Sequence, residues 1–249
     1  MYLNDELHLA YKIGNSEIFN FPYPHTYIKN IFPDHLYNLI QENMPEPSNL
    51  KTISKVRAVK GYDERFVLSF DDLSLAILDD KKMGFWIKFR DQLLSGNFKN
   101  FLISRFLPYI QTRFKNIEQV KFYDELLLVQ DTMNYKLGPH TDAKRKVLTL
   151  LFYLPKNNSQ ENLGTSIYMP KNLNFKCDGG PHYPRDDFEK IVTMPFMPNS
   201  LFCFVKTNNS FHGVEKINSN EKRWLLLYDI YVDESNSTEY SSLNNKFSF

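Results

Sequence analysis

L-G-P-H-T-D-A-K-R-K-V-L-T-L-L-F-Y-L-P, residues 137–155, places a histidine and an aspartate just before the most strand-like run of the chain. In an extended strand, side chains two residues apart project from the same face, so His140 and Asp142 can direct an imidazole and a carboxylate at one point. Short pairs of this kind also arise by chance. The stretch alone leaves two interpretations: a histidine beside a turn aspartate, or the first two ligands of a metal site.

The second half of the chain has the pattern of a series of short strands. From about residue 119, runs of branched and aromatic residues alternate with polar turns. Such spacing predicts an all-β sandwich or barrel. The five clearest runs are F-Y-D-E-L-L-L-V-Q (122–130), K-V-L-T-L-L-F-Y-L (146–154), T-S-I-Y-M (165–169), S-L-F-C-F-V (200–205) and W-L-L-L-Y-D-I-Y-V (224–232).

The first half of the chain is mixed and mostly helical. Residues 33–44 place Leu36, Leu39 and Ile40 on one face, between a proline suited to a first helical turn and a proline that stops the run. Two further amphipathic patterns, at residues 75–94 and 98–114, predict helices that pack behind a sheet. The predicted fold class is therefore mainly β with N-terminal helices.

Two segments have a less regular pattern. Residues 57–70 alternate charged with aromatic residues and predict either a strand or a mobile loop, whereas the polar tail after Val232 predicts a frayed end. The expected organisation is one structural unit, with an N-terminal helical and mixed support region at 1–117, a β core at 118–232 and a polar tail at 233–249.

Composition limits the classes of partner. The chain has 249 residues, of which 42% are hydrophobic, and its 30 basic and 29 acidic residues give a net charge of +1. This balance argues against bulk nucleic acid or an anionic membrane as the main partner. Two cysteines, Cys177 and Cys203, are too few for a disulfide framework, and no apolar run is long enough for a membrane span. We expect a cytoplasmic protein, and the oligomeric state stays open.

A third metal ligand is available in N-S-F-H-G-V-E, where His212 follows a predicted strand and precedes Gly213, which allows backbones to approach closely. Two histidines and one carboxylate form the facial triad of non-haem Fe(II) oxygenases. Arg223 follows His212 by eleven residues and begins the last predicted strand. A hairpin there would place Arg223 beside His212 in the β core, where its guanidinium needs an anion such as the far carboxylate of a dicarboxylate cosubstrate.

With these residues in place, the sequence resembles the 2-oxoglutarate/Fe(II)-dependent dioxygenases and, among them, the prolyl-hydroxylase-like group. The residues that carry the resemblance are His140-Thr141-Asp142, His212-Gly213-Val214 and Arg223, and it covers residues 119–232. It implies a double-stranded β-helix, also called a jelly-roll or cupin-like core, supported by helices packed on one sheet. It also implies Fe(II) bound by His140, Asp142 and His212, with 2-oxoglutarate and O2 as cosubstrates and ascorbate in assays.

The resemblance assigns further residues to the cosubstrate. A tyrosine at the end of the strand after the first motif helps the arginine hold the distal carboxylate, and the matching residue is Tyr153. By alternation, Thr149 and Leu151 would share its inward face, and Gln130 on the preceding strand is a further candidate near the iron. The chain has Gly164-Thr165-Ser166 where relatives often carry paired glycines, a departure that concerns the substrate mouth.

Each of these residues also has a structural interpretation. His212 alone fits a surface loop, Arg223 could pair with Glu215 or Glu221, and Tyr153 could be plain core. His182, in the glycine- and proline-rich stretch C-D-G-G-P-H, is a rival ligand, although a lid or surface loop is the better interpretation.

Two other features have simpler expectations. Cys203 is expected in the core. The cluster Lys144-Arg145-Lys146 is expected in a solvated turn that could steer an anionic substrate.

The expected reaction is hydroxylation of an unactivated C–H bond with release of succinate and CO2. The retained Asp142 favours it, because relatives that halogenate lack this carboxylate. Two alternatives stay open: a cupin-type isomerase or hydrolase that uses Zn(II) or another divalent ion, and a catalytically silent barrel that binds a ligand. Small molecules, sugars and peptidyl groups are all compatible substrates.

Overall fold

Six α-helices and eleven β-strands make up the parts of the chain that the computed structural model describes, residues 3–57 and 61–233. The helices are α1 Leu3–Gly14, α2 Asp34–Glu42, α3 Asp72–Leu75, α4 Asp80–Leu93, α5 Gly96–Arg105 and α6 Leu107–Ile110. The strands are β1 His25–Lys29, β2 Lys51–Thr52, β3 Arg65–Ser69, β4 Phe122–Asp131, β5 Leu137–His140, β6 Lys146–Tyr153, β7 Thr165–Pro170, β8 Phe188–Thr193, β9 Ser200–Val205, β10 His212–Val214 and β11 Arg223–Val232.

The strands form two antiparallel sheets. The larger sheet has seven strands in the order β1-β9-β6-β11-β4-β3-β2, and the smaller has four in the order β5-β10-β7-β8. From β4 onward consecutive strands alternate between the two sheets, except for β7 and β8, which pair with each other in the smaller sheet. This arrangement is the double-stranded β-helix, and it confirms the predicted fold class.

The larger sheet buries apolar residues on both faces, because side chains along its long strands alternate between two cores. In β4, Leu126 and Leu128 pack into the core that contains the helices, whereas Leu127 and Val129 face the smaller sheet. Each such buried side chain stabilises the fold by about 1.5–3 kcal/mol relative to its exposed state. The near-continuous apolar run in β4 follows from this double burial.

The helices cover the outer face of the larger sheet, as predicted. α4 begins where the Asp79 carboxylate accepts the Lys82 amide hydrogen at 3.0 Å. Its Trp86 is fully buried and donates its indole hydrogen to the Asn43 carbonyl at 2.8 Å. The helix predicted at 98–114 is divided into α5 and α6, because Pro108 lies where a continuous helix would need its amide hydrogen.

Several elements differ from expectation. α1 was not predicted, and the N-terminal region contributes β1, β2 and β3 to the larger sheet. In the segment 57–70, β3 occupies the last third, and residues 58–60 lie outside the described part. The predicted frayed tail lies almost entirely outside it as well. The division at residues 117 and 232 stays a prediction. Among the described helices, not one has the length and apolar character that crossing a bilayer requires.

Candidate metal centre

The two motif histidines lie on adjacent strands of the smaller sheet. His140 is the last residue of β5, and it pairs directly with His212, the first residue of β10. Their ring centroids are 4.3 Å apart. Antiparallel pairing therefore brings together two side chains that are far apart in the sequence.

Asp142 reaches the same point from the turn after β5. The prediction that a strand carries both His140 and Asp142 is wrong in this detail, because β5 ends at His140. The Thr141 hydroxyl donates to the Cys177 carbonyl at 2.9 Å, which holds the turn against the 171–190 insert. Gly179 of that insert lies so close that a Cβ atom there would come within 2.4 Å of the Asp142 carbonyl oxygen.

The three side chains His140, Asp142 and His212 offer ligand atoms that all lie within 4.8 Å of one another. Each histidine has its Nδ1 3.0 Å from the carbonyl oxygen two residues earlier, that of Gly138 or Ser210. A neutral imidazole that donates through Nδ1 presents its lone pair at Nε2. Both rings are therefore oriented by nearby backbone carbonyls to bind a metal through Nε2.

The protonation states suit a divalent cation. Burial, reinforced by the neighbouring His212, lowers the pKa of His140 well below its ordinary value, and burial lowers the pKa of His212. Burial alone would raise the pKa of Asp142, but Lys146 and the two imidazoles bring it below the usual range. The cluster thus has two neutral imidazoles and one carboxylate at neutral pH, which is the donor set of a facial triad.

Lys146 holds the Asp142 carboxylate in place. Its Nζ lies 3.2 Å from Asp142 Oδ1 and 3.1 Å from Asp229 Oδ1, and the Thr149 hydroxyl donates to Asp142 Oδ2 at 3.0 Å. The prediction that Lys146 belongs to a solvated turn is wrong, because only 8% of it is exposed. Its neighbour Arg145 is exposed and donates to the Tyr123 hydroxyl instead of to Asp142.

A cavity of about 260 Å³ extends from these groups between the two sheets. Its middle is apolar, with Val129, Leu151 and Leu227 on the wall. Arg65 and Arg223 line it as well, beyond this apolar section on the larger sheet. The space therefore offers a metal site and a cationic wall within one enclosure.

Arg223 lies at the start of β11, fully buried, and has protein partners. Its Nη1 donates to Asp131 Oδ2 at 2.8 Å, its Nε to the Leu163 carbonyl at 2.6 Å and its Nη2 to the Thr165 hydroxyl at 3.1 Å. The guanidinium needs an anion, as predicted, and the protein already supplies one in Asp131. The expected hairpin with His212 is wrong, because β10 and β11 belong to different sheets. Glu215 and Glu221, the surface partners considered, bond to other residues.

Of the remaining cosubstrate candidates, Thr149 and Leu151 line the cavity. Tyr153 shares their face of β6 but does not line the cavity. Its ring centroid is 5.6 Å from the guanidinium carbon of Arg223, and its hydroxyl accepts the Thr165 amide hydrogen at 3.1 Å. The structure does not bring Gln130 to the site. Its neighbours Val129 and Asp131 face the cavity side, so the alternation of β4 turns Gln130 toward the helices.

His182 lies over the metal cluster without belonging to it. Its ring centroid is 4.5 Å from that of His140, and its Nε2 is 3.0 Å from the Tyr62 hydroxyl. It is exposed and lines the cavity, in agreement with a lid rather than a ligand. Cys203 is buried among the helix-side core residues. Gly164, the departure noted in sequence, packs directly on the Met194 carbonyl, where a Cβ atom has no room.

Sequence reasoning missed Arg65, Asp131, Tyr135 and Lys146. Asp131 and Arg65 form a direct cross-strand pair between β4 and β3, so only the sheet register reveals them. For Lys146, a lysine four residues after the motif aspartate was a usable signal, because β6 returns at once beside the turn. Tyr135 lies in the loop between β4 and β5, where the sequence carries no comparable mark.

No protein-family model matches the sequence, and no curated protein sequence matches it. Among solved structures, a prolyl 4-hydroxylase from Phytophthora capsici aligns with a TM-score of 0.52 and 13% identity, over 96% of this chain and 69% of that chain. A prolyl-4-hydroxylase from Pseudomonas putida aligns with a TM-score of 0.47 and 12% identity, over 90% and 98%. HygX from Streptomyces hygroscopicus, with nickel and 2-oxoglutarate bound, aligns with a TM-score of 0.45 and 10% identity, over 94% and 88%. The first of these likenesses supports the double-stranded β-helix.

Proposed function

We propose that the protein is a non-haem Fe(II)- and 2-oxoglutarate-dependent dioxygenase that hydroxylates a C–H bond of its substrate. The observation that carries the proposal is the convergence of His140, Asp142 and His212, whose ligand atoms lie within 4.8 Å of one another at one end of an internal cavity. Two imidazoles and one carboxylate leave positions on the metal free for a cosubstrate and O2.

The chain's residues fit both the metal and the cosubstrate. His140, Asp142 and His212 would hold Fe(II), and Arg223 would bind the distal carboxylate of 2-oxoglutarate. Thr149 and Leu151 would line the space that the cosubstrate occupies between these two ends. Bound ferrous iron supplies the O2 chemistry that converts 2-oxoglutarate to succinate and CO2 and oxidises the substrate. The surrounding protein fixes the ligand geometry, and its apolar wall keeps water away from the cosubstrate.

The groups around Asp142 and the two histidines prepare these side chains to bind the metal. The Lys146 ammonium and the Thr149 hydroxyl hold the carboxylate in one orientation and keep it ionised, so that it is ready to accept a cation. The carbonyl oxygens of Gly138 and Ser210 fix the tautomers of the two histidines. Substrate would approach at the exposed His182 and the half-buried Tyr62 that contacts it. We propose a small-molecule, sugar or peptidyl substrate rather than nucleic acid. A cytoplasmic location, based on the free cysteines, belongs to the proposal too.

Binding of 2-oxoglutarate to the ferrous protein tests the proposal. Under anaerobic conditions, Fe(II) and 2-oxoglutarate should give a visible charge-transfer band, and O2 should then yield succinate and CO2. His212→Ala should lose the band and weaken metal binding by more than about 100-fold, since changes even to groups behind a metal ligand cost 10–100-fold. His35→Ala, which removes an exposed histidine paired with Asp5, is the matched control and should behave as wild type.

The same experiment separates the competing functions. A Zn(II)-type isomerase or hydrolase would bind metal but give no band and no succinate. A silent binding barrel would show no metal-dependent turnover at all. A wild-type protein that forms succinate no faster than free Fe(II) does would contradict the proposal.

A further inference from the structure

The far wall of the cavity carries two positive charges and one negative charge. Asp131, completely buried, accepts hydrogen bonds from both Arg65 and Arg223. Arg65 contacts both carboxylate oxygens, with Nε at 2.7 Å from Oδ1 and Nη2 at 2.9 Å from Oδ2. One carboxylate thus serves two guanidinium groups, and the three side chains sum to +1.

The bidentate pair between Arg65 and Asp131 decides what Arg223 can bind. With Arg223 as its only partner, Asp131 would cancel the charge of Arg223 and repel an incoming carboxylate. Arg65 neutralises the negative charge of Asp131 through two parallel hydrogen bonds, the planar arrangement that arginine–carboxylate pairs prefer. Burial would lower the pKa of Arg65, but Asp131 and Tyr135 hold it above the ordinary value, so the compensating charge persists.

Tyr135 provides a second and independent observation at the same wall. It is 1% exposed, it lines the cavity, and its hydroxyl has no hydrogen-bond partner within residues 3–57 and 61–233. Its ring lies under Arg65, with 4.5 Å from the guanidinium carbon to the centroid. Buried hydroxyls rarely stay unsatisfied, so this one is a donor in need of an acceptor.

We propose that the distal carboxylate of the cosubstrate is bound by Arg223 together with Tyr135, and that Arg65 is a positioning residue that neutralises Asp131. This inference rests on the proposed function, because the ligand is 2-oxoglutarate. The Tyr153 hydroxyl already accepts the Thr165 amide hydrogen and lies outside the cavity lining. The tyrosine donor therefore comes from the loop before β5 instead of the end of β6.

Tyr135→Phe tests the donor. Titration calorimetry of Mn(II)-loaded protein with 2-oxoglutarate should give a Kd at least about 10-fold weaker than wild type, since the lost hydrogen bond is to a charged acceptor. The melting temperature without ligand should stay equal or rise, because the variant removes an unsatisfied hydroxyl. Tyr37→Phe is the matched control: its hydroxyl donates to the Pro155 carbonyl at 2.6 Å, so it should lower the melting temperature and leave Kd unchanged. Wild-type affinity in Tyr135→Phe overturns the role of Tyr135.

A double-variant cycle tests Arg65. Arg65→Gln alone should weaken Kd by about 10-fold or more, and adding Asp131→Asn should restore it to within about 3-fold of wild type, because the charge of the wall returns to +1. Arg90→Gln, which loses a surface arginine paired with Asp72, should change nothing. An Arg65→Gln protein that binds normally, or a double variant without recovery, contradicts the positioning role.

A truncated ligand distinguishes a failure of the proposed carboxylate site from a failure of the proposed function. 2-Oxobutyrate has the metal-chelating end but no distal carboxylate, so Tyr135→Phe and Arg65→Gln should not change its Kd. A wild-type protein that binds Mn(II) but not 2-oxoglutarate would remove the proposed function along with this inference. Tight binding to wild type and to every variant would remove this inference alone.

Discussion

His140 and His212 show how little sequence is needed to orient a metal ligand. Each ring is fixed by the carbonyl oxygen of the residue two positions earlier, Gly138 within β5 and Ser210 just before β10, so the orientation is local in sequence. The convergence of the two rings, in contrast, depends on the register of β5 with β10. The residue types could therefore be predicted from the sequence, whereas the pairing of the two histidines could be seen only in the structure. Lys146, which holds the third ligand, had a local signal in its spacing of four residues from Asp142.

Lys146→Met should strongly destabilise the metal-free protein. The substitution leaves Asp229 fully buried and Asp142 mostly buried without their ammonium partner, and removing one partner of a buried pair costs about 3–5 kcal/mol. Urea unfolding measures the loss. Lys99→Met is the matched control. Its side chain is 22% exposed against 9% for Lys146, and its partner Asp124 also accepts a hydrogen bond from the Tyr228 hydroxyl, so the variant should lose no more than about 1 kcal/mol. Equal losses in the two variants would show that Lys146 is not a buried ion-pair partner.

Lys206 predicts an unusual dependence of stability on pH. Burial, with repulsion from Arg113, lowers its pKa from 10.5 to about 8. Between these values the unfolded chain binds more protons than the folded one, so the contribution of Lys206 to stability rises with pH across this window and is least favourable below pH 8.

Lys206→Met should thus be more stable than wild type at pH 7 by about 1–2 kcal/mol, after allowance for the lost hydrogen bond to the Thr207 carbonyl. The advantage should shrink toward zero as the pH approaches about 10. Denaturant unfolding of both proteins at several pH values measures this difference. A constant or growing advantage contradicts the shift.

At the scale of elements, strands with strong apolar alternation or double burial were predictable, and short ones were not. β4, β6 and β11 match their predicted runs within one residue at each end. β5 contains Gly138 and Pro139, and β10 has only three residues, so neither carries a strand pattern of its own. They are strands because their neighbours supply the hydrogen bonds, and that is a tertiary effect.

The 171–190 insert is held to the metal turn by a close backbone approach, and two adjacent glycines allow a matched test. Both have positive φ, +123° at Gly179 and +136° at Gly180, but only at Gly179 would a Cβ atom meet backbone, 2.4 Å from the Asp142 oxygen. Gly180→Ala should cost about 1–3 kcal/mol from strain. Gly179→Ala should cost more and also weaken Mn(II) binding, as measured by thermal unfolding and calorimetry. Identical effects of the two substitutions would argue against the contact.

At the scale of the whole molecule, the helices and the barrel share one core. Residues from α1, α2, α4 and α5 pack with the outer face of the larger sheet in a single apolar cluster. The class of fold was predictable because the two halves of the chain differ so clearly in periodicity. The order of strands was not, because β1, β2 and β3 join the larger sheet from the N-terminal half.

A fragment of residues 118–249 should therefore fail to fold by itself. It would expose the helix-covered face of the sheet and leave β4 and β9 without their outer partners β3 and β1. Circular dichroism during heating should show no cooperative transition, while the full chain unfolds in one step. Cooperative unfolding of the fragment would instead show that residues 118–232 are an independent domain.

The burial of the Arg223–Asp131 pair affects how cosubstrate affinity should respond to salt. Arg223 is 1% exposed and Asp131 is fully buried, so mobile ions cannot enter between them and a bound carboxylate. Screening acts mainly on charges in contact with solvent. Cosubstrate affinity should accordingly vary little with ionic strength, whereas a site built from surface lysines would weaken steadily as potassium chloride is added.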